Sequence, residues 1–380
     1  MLPEEVIHLV NEIQEQKAER QNVEVKAAHK GCPTRLYDTL SSFSNQEQGG
    51  VLLFGMDENA GFQIVGVYDL QDLQQKVMEQ CQQMEPPVRA IFTVAEVSGK
   101  SICTAEIPGL DVSQRPCYYK GAGKVKGSYV RVGDGDLPMT AAELYNLETF
   151  RKHTHEDERK VEKAIKEALD PELVRQYIAL KTKERPDFAK LPQSLQEELL
   201  SITKQGLPTV AGLLNFGLFP QGYFPQWSIA AIVVPGTAIG ELDAYDNRFL
   251  DNKRIEGSLA SMVQQTLQFV SRNMKVSTRI DRETGQRKDR SEYPLAAIRE
   301  AVLNALIHRD YSYYTEGIPC QLNMFTDRLE IHSPGRLYGR MTVDQLGKSK
   351  GDLRNPTLAL MAEAMTQAEN RYSGIPTMER

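Results

Sequence analysis

The sequence predicts an α+β protein: an N-terminal domain built on a mixed sheet, a polar linking helix, and a C-terminal α/β region. Three observations carry this. Short strand-like runs, Val23-Glu24-Val25-Lys26 and Val51-Leu52-Leu53-Phe54, sit between helix-length amphipathic stretches at 3–17 and 34–44. Two further runs, at about 89–97 and 101–107, are joined by the turn signal Ser98-Gly99-Lys100. Apolar positions then recur at helical spacing over 256–273 and 293–311. A length of 380 residues leaves room for two or three domains. The boundaries expected are a first domain over 1–148, a charged linking helix over 149–170, a middle α/β region over 171–290 and a last domain over 291–380.

In chain order, Val6, Val10 and Ile13 give the first helix its apolar stripe, and it is expected to pack beside the strand at 22–26. Leu36, Leu40 and Phe43 do the same for 34–44, which Gly49-Gly50 closes. The apolar run 51–56 reads as a buried strand; Asn59-Ala60-Gly61 turns it into a return strand over 62–67. A helix over 69–83 ends before Glu85-Pro86-Pro87. Residues 150–169 are almost all charged or small and predict a polar helix with i,i+4 charge pairs. Beyond it come helices over 172–181 and 194–202. The apolar run 206–217 ends in a Gly and loosely echoes 50–55. A buried strand covers 229–234, a polar segment 248–257, and a basic, turn-rich hairpin 275–290.

Composition narrows the function classes. Charged residues make up 25% of the chain and the net charge is −6, so any nucleic-acid surface has to be local. The five cysteines (Cys32, Cys81, Cys103, Cys117, Cys320) are scattered, odd in number and without a Cys-x-x-Cys, which predicts reduced thiols in a cytoplasmic protein. His29-x-x-Cys32 is too small for structural zinc. No apolar run reaches membrane-spanning length, so no membrane partner is expected. The chain is expected to self-associate.

Three constellations carry chemistry. Val23–Lys26 alternates, so a strand there puts Glu24 and Lys26 on one face. Pairing it with 51–56 would bring them to one sheet end with Asp57 and Glu58, a pattern suited to Mg²⁺ or Mn²⁺ with a lysine for a phosphate. The segment 115–133 interleaves Arg115, Lys120, Lys124, Lys126 and Arg131 with Tyr118, Tyr119 and Tyr129. It offers cations for phosphates and rings for bases. Glu300, Asn304 and His308 stand at i, i+4 and i+8 on one helical face, a carboxylate and an amide able to hold Mg²⁺ against phosphates.

The motif Glu19-x4-Glu24-x-Lys26, then Ser42-Phe43-Ser44-Asn45 before Gly49-Gly50, then Leu52-Leu53-Phe54-Gly55-Met56-Asp57, resembles the Schlafen AlbA-type domain. Gly61–Val67 and Tyr129-Val130-Arg131-Val132-Gly133 fit the same domain, so the likeness spans roughly 10–148. In nuclease-active Schlafen members two glutamates in this spacing and an acid after the strand end form a metal-dependent RNase site. The resemblance therefore implies catalytic roles for Glu19, Glu24, Lys26 and Asp57 or Glu58, with Glu19, Glu24 and Asp57 as the metal ligands, and structured RNA such as tRNA as a substrate. Bacterial relatives are more often described as nucleic-acid-binding domains.

The helix around Glu300 and Asn304 resembles the N-box of the GHKL ATPases, where these positions are the base and the Mg²⁺ ligand. Ser333-Pro334-Gly335-Arg336-Leu337 stands where that superfamily has its adenine box, without the adenine-reading Asp; Arg354-Asn355-Pro356 stands near the phosphate lid. The resemblance implies ATP contact by Glu300, Asn304, His308 and Gly335. Together the motifs resemble a bacterial family, labelled RecG-helicase-related, ATP-binding or transcriptional regulator, whose members usually continue into a winged helix. This chain stops after Tyr372–Met378, as a truncated or short form would. A helicase motor is not expected, since no Gly-x4-Gly-Lys-Ser/Thr loop occurs. The function expected is nucleic-acid binding with metal-dependent endonuclease activity on RNA or a single strand, in bacterial defence or stress. The alternative is a non-enzymatic DNA-binding regulator gated by ATP.

Overall fold

The computed structural model describes residues 1–280, 287–346, 348 and 351–366. They form two compact units, Met1–Thr154 and His155–Arg380. Both mix helices with open mixed sheets, in line with the α+β class the patterning predicts.

The first unit runs α1 (Pro3–Gln16), β1 (Val23–Lys26), α2 (Tyr37–Ser44), β2 (Gly50–Phe54), the short pair β3 (Met56–Asp57) and β4 (Gln63–Ile64), and α3 (Leu70–Gln82). It continues with β5 (Met84–Glu85), β6 (Ile91–Val97), β7 (Lys100–Ile107), β8 (Tyr118–Tyr119), α4 (Gly123–Gly127), β9 (Tyr129–Val132), β10 (Gly135–Pro138) and α5 (Ala141–Lys152). The central sheet has the order β1-β2-β7-β6. β1 lies parallel to β2, and β2 and β6 are antiparallel to β7. β2 is buried on both faces. Leu53 joins Val6, Val10 and Ile13 of α1 on one side, and Leu52 and Phe54 join Leu40, Phe43, Leu73 and Val77 of α2 and α3 on the other. A central strand reads as a continuous apolar run because helices cover both faces.

The expected return strand over 62–67 is reduced to the two residues of β4. The linking helix expected over 149–170 is also corrected. α5 stops at Lys152, where His153 takes the left-handed conformation (φ 51°), and only 3₁₀ turns follow at Glu156–Glu158 and Lys166–Ala168. Exposed i,i+4 pairs stabilise a helix by only a few tenths of a kcal/mol each. Here tertiary contacts outweigh them: Val161, Ala164 and Leu169 are buried, and the Val161 and Asp170 amides donate to Pro208 and Phe216 carbonyls at 2.8 and 2.7 Å.

The second unit contains α6 (Pro171–Glu184), α7 (Gln193–Leu199), β11 (Thr203–Lys204), β12 (Leu207–Pro208), α8 (Val210–Phe216), β13 (Ile229–Val233), β14 (Asp251–Ile255) and α9 (Leu259–Asn273). Then come β15 (Val276–Ile280), β16 (Arg287–Ser291), α10 (Leu295–Ile307), β17 (Cys320–Met324), β18 (Leu329–His332) and α11 (Pro356–Thr366). The echo of 50–55 expected at 206–217 is helical: Thr209 caps α8 by accepting the Gly212 N–H at 2.9 Å. A short run buried all round gives periodicity nothing to distinguish strand from helix. The division at 290/291 does not appear in this fold. One sheet of order β14-β13-β17-β18 joins strands from the middle and last regions, with β13 parallel to β17. β15 and β16 pair antiparallel as expected; the turn at 281–286, like Tyr372–Met378, lies outside the described residues. No described helix is long and apolar enough to cross a membrane.

Candidate functional site

The acids expected at one sheet end are organised by an arginine. The β9–β10 hairpin turns through Gly133-Asp134, which sets Asp136 directly opposite Arg131. The Arg131 side chain is 1% exposed. Its Nη1 lies 2.8 Å from Glu24 and 3.0 Å from Asp136, and Nη2 lies 3.8 Å from Glu19. Its Nε donates to the Gln21 carbonyl at 3.1 Å and Nη2 to the Val23 carbonyl at 3.3 Å. The guanidinium also lies 5.2 Å from the Phe43 ring. Arg131 is thus a buried counter-ion and not the surface phosphate contact expected; its position opposite Asp136 turns it inward.

Glu19 accepts the Val25 N–H at 2.8 Å, and Glu24 also pairs with Lys26 on the same face of β1. Three carboxylates therefore meet two cations, leaving one excess negative charge when all are ionised. Burial pushes the Glu19 carboxyl up to about 7, with the charges of Glu24 and Glu58 adding to it and the Val25 N–H and Lys26 opposing. Asp57 does not join: its side chain caps the next turn by accepting the Asn59 N–H at 3.1 Å, while Glu58 is exposed. No group of three or more His, Cys, Asp or Glu able to hold a metal exists among the described residues. The trio Glu19, Glu24 and Asp57 is therefore not assembled as a Mg²⁺ or Mn²⁺ site, and its two adjacent members already face Arg131 and Lys26.

Asp136 escaped the sequence reading, although a two-residue Gly-Asp turn was signal enough to fix its register. Thr39 and Ser42 of α2 donate to it at 2.7 and 2.5 Å. Asn45, the last residue of the Ser42–Asn45 motif, is 8% exposed, and its side chain makes four bonds. Its Nδ2 donates to the Cys117 and Tyr129 carbonyls at 2.9 and 3.0 Å and to Ser41 Oγ at 3.2 Å, and its Oδ1 accepts the Cys117 N–H at 2.7 Å. Ser41 in turn bonds the Cys117 carbonyl and the Tyr129 N–H. The end of α2 therefore fixes the backbone on both sides of the basic segment.

Within that segment the cations diverge. Arg115 is half-buried, its Nε spent on the Leu110 carbonyl at 2.8 Å. Lys126 is exposed. Lys120 and Lys124 line a cleft of about 450 Å³ together with Tyr118, Glu85 and Arg151. Arg151 comes from the last turn of α5, and nothing in its own stretch of sequence marks it as a site residue.

In the second unit, Glu300 and Asn304 lie on the half-buried side of α10, and His308 is its exposed C-cap. Gly335 (φ 117°) brings its loop close: a Cβ there would stand 3.0 Å from Asp310 Cβ. Ser333 donates to the Ala305 carbonyl at 2.6 Å, the Asp310 N–H to Pro334 at 2.8 Å, and Arg354 stands 3.4 Å from Asp310. The loop carrying Gly335 and the end of α10 are thus gathered. Burial raises the Glu300 carboxyl above its ordinary value.

Residues 19–140 match the family model of the Schlafen, AlbA_2 domain. The first unit carries a Schlafen AlbA_2 domain. Residues 317–380 match the model described as "Putative ATP-dependent DNA helicase recG C-terminal", an ATPase-like domain. Its matched range includes Gly335 and leaves α10, with Glu300 and Asn304, before it. Among solved structures, the DIP2311 protein from Corynebacterium diphtheriae is similar at 20% identity, with 99% of this chain and 75% of that one covered and a TM-score of 0.42. The N-terminal domain of a "Putative ATP-dependent DNA Helicase RecG-related Protein" from Nitrosomonas europaea is similar at 26% identity, with 36% of this chain and 93% of that one covered and a TM-score of 0.29. No curated protein matches. The AlbA_2 domain thus contains both the acid cluster and the greater part of the basic cleft.

Proposed function

We propose that this chain is a nucleic-acid-binding protein whose AlbA_2 domain engages the strand through the basic segment 115–133. The observation that carries the reading is the convergence of Lys120, Lys124 and Arg151 on one cleft in a protein whose net charge is −6. The RecG-related and AlbA_2 matches support it.

A second reading, phosphodiester hydrolysis by the acid cluster, rests on Glu19 and Glu24 standing side by side with Lys26. The internal neutralisation by Arg131 favours binding without turnover. To separate the two, purified protein is incubated with mixed tRNA and with single- and double-stranded DNA, in Mg²⁺, Mn²⁺ or EDTA. Salt-sensitive, uncut complexes are expected. Metal-dependent cleavage that Glu24→Gln abolishes would instead establish the nuclease. Glu24→Gln serves better than Glu24→Ala, because the glutamine keeps the side chain's size and an amide oxygen that can still accept from Arg131, whereas the alanine leaves the guanidinium no acceptor there.

For the second unit, the reading is ATP or a related nucleotide acting on nucleic-acid affinity. The side chains of Glu300 and Asn304 have no hydrogen-bond partner among the described residues, which fits a pair that would hold Mg²⁺ and phosphate. Addition of Mg-ATP is expected to shift the affinity for nucleic acid, and Glu300→Gln to remove the shift. Self-association and a cytoplasmic setting remain part of this proposal, the former checked by light scattering.

A further inference from the structure

We infer that the cleft between β5, β8, α4 and the end of α5 is a subsite for one nucleotide of a single-stranded chain, its phosphate held by Lys120, Lys124 and Arg151 and its base laid on Tyr118. The inference rests on the reading that the AlbA_2 domain binds nucleic acid, and it names the strand class and a residue that reading lacked.

The charge balance asks for an anion. Three cations line the cleft against the single carboxylate of Glu85, which lies 3.8 Å from Lys120 Nζ. Lys124 is 3.5 Å from Glu148, which Lys152 also shares at 2.7 Å. Arg151 is exposed and has no hydrogen-bond or ion-pair partner among the described residues. A free guanidinium beside two lysines suits phosphate oxygens, which it meets in a fork.

The shape asks for a single strand. About 450 Å³ is the scale of a single small-molecule site, not of a duplex. Tyr118, Pro86 and Pro116 give the cleft flat apolar surface next to its cations. In a duplex the bases are stacked away from such a surface, whereas a single strand offers both phosphate and base face.

The walls are held in place. Asn45 fixes the backbone of Cys117, next to Tyr118, and a capping box on Thr140 and Glu143 starts α5, which ends at Arg151. Tyr118 pairs with Glu85 across β8 and β5. The cleft thus needs little ordering when a ligand enters.

The test uses the full chain, a labelled oligothymidylate and the corresponding duplex, with fluorescence anisotropy over a series of KCl concentrations. The single strand is expected to bind about tenfold tighter than the duplex. Arg151→Gln is expected to weaken binding about fivefold and to lower the slope of log K against log salt by about 0.7, one phosphate contact. Tyr118→Ala is expected to weaken it about tenfold with the slope unchanged, and Tyr118→Phe to restore it. Arg151 has no partner to lose, so its variant keeps the fold. Wild-type affinity in both Arg151→Gln and Tyr118→Ala would overturn the subsite while leaving nucleic-acid binding intact. Duplex binding as tight as single-strand binding would overturn the strand class. Absence of binding to any nucleic acid at low salt would overturn the underlying reading as well.

Discussion

At the scale of single residues, the acid cluster is governed by Arg131. Removing one partner of a buried charge group strands the others, a cost of about 3–5 kcal/mol. Arg131→Met is therefore expected to lower unfolding stability by about that much, measured by urea denaturation at neutral pH. Glu19 gives the pH dependence. Its folded pKa of about 7 stands above the ordinary 4.5, so between those values the folded state holds a proton that the unfolded state has released. Stability therefore falls as pH rises through this window and is lowest above 7. Glu19→Gln removes this term: it should gain about 1–3 kcal/mol over the parent at pH 8 and nothing at pH 4.5. Equal gains at both pH values would show that charge is not the cause. Glu24 was legible in the alternation of Val23–Lys26, Glu19 through the resemblance to the Schlafen AlbA-type domain, and Asp136 was available from the Gly133-Asp134 turn. The inward direction of Arg131 was not, because a strand residue's face is set by register with its partner strands.

At the scale of elements, α2 does more than cover the sheet. Its last turn supplies Ser41, Ser42 and Asn45, which bind β9, β10 and the segment before β8. Asn45→Ala leaves the Cys117 N–H and the Tyr129 carbonyl without their side-chain partner, and leaves the Cys117 carbonyl with Ser41 alone. It is expected to cost about 2–4 kcal/mol and to weaken nucleic-acid binding, since the cleft wall is fixed by the same bonds. Retained affinity in a destabilised variant would separate the two roles. Amphipathic elements such as α1, α3 and α9 were readable because one face is buried and the other wet. The segment 153–170 was not. Its local charge pattern favours a helix, and only the contacts of Val161, Ala164 and Leu169 with residues far along the chain decide otherwise. α8 failed for the opposite reason, being buried on every side.

At the scale of the whole molecule, the sequence showed domain-sized blocks but not which strands would meet. β13 and β17 are separated by the whole stretch from α9 to α10, and no local signal announces a parallel pairing over that distance. The first unit is different: its sheet closes within residues 23–107, and its two apolar clusters, on either face of β2, draw on no residue of the second. A fragment of residues 1–154 is within the usual size of an independent domain. It is expected to give a single sigmoidal urea transition, and Arg131→Met should shift that transition by the amount it shifts the corresponding step of the full chain. The charge cluster and its counter-ion all lie inside the fragment, so additivity should hold. A gradual transition, or a much larger loss in the fragment than in the full chain, would mean that the second unit supplies part of the stability of the first.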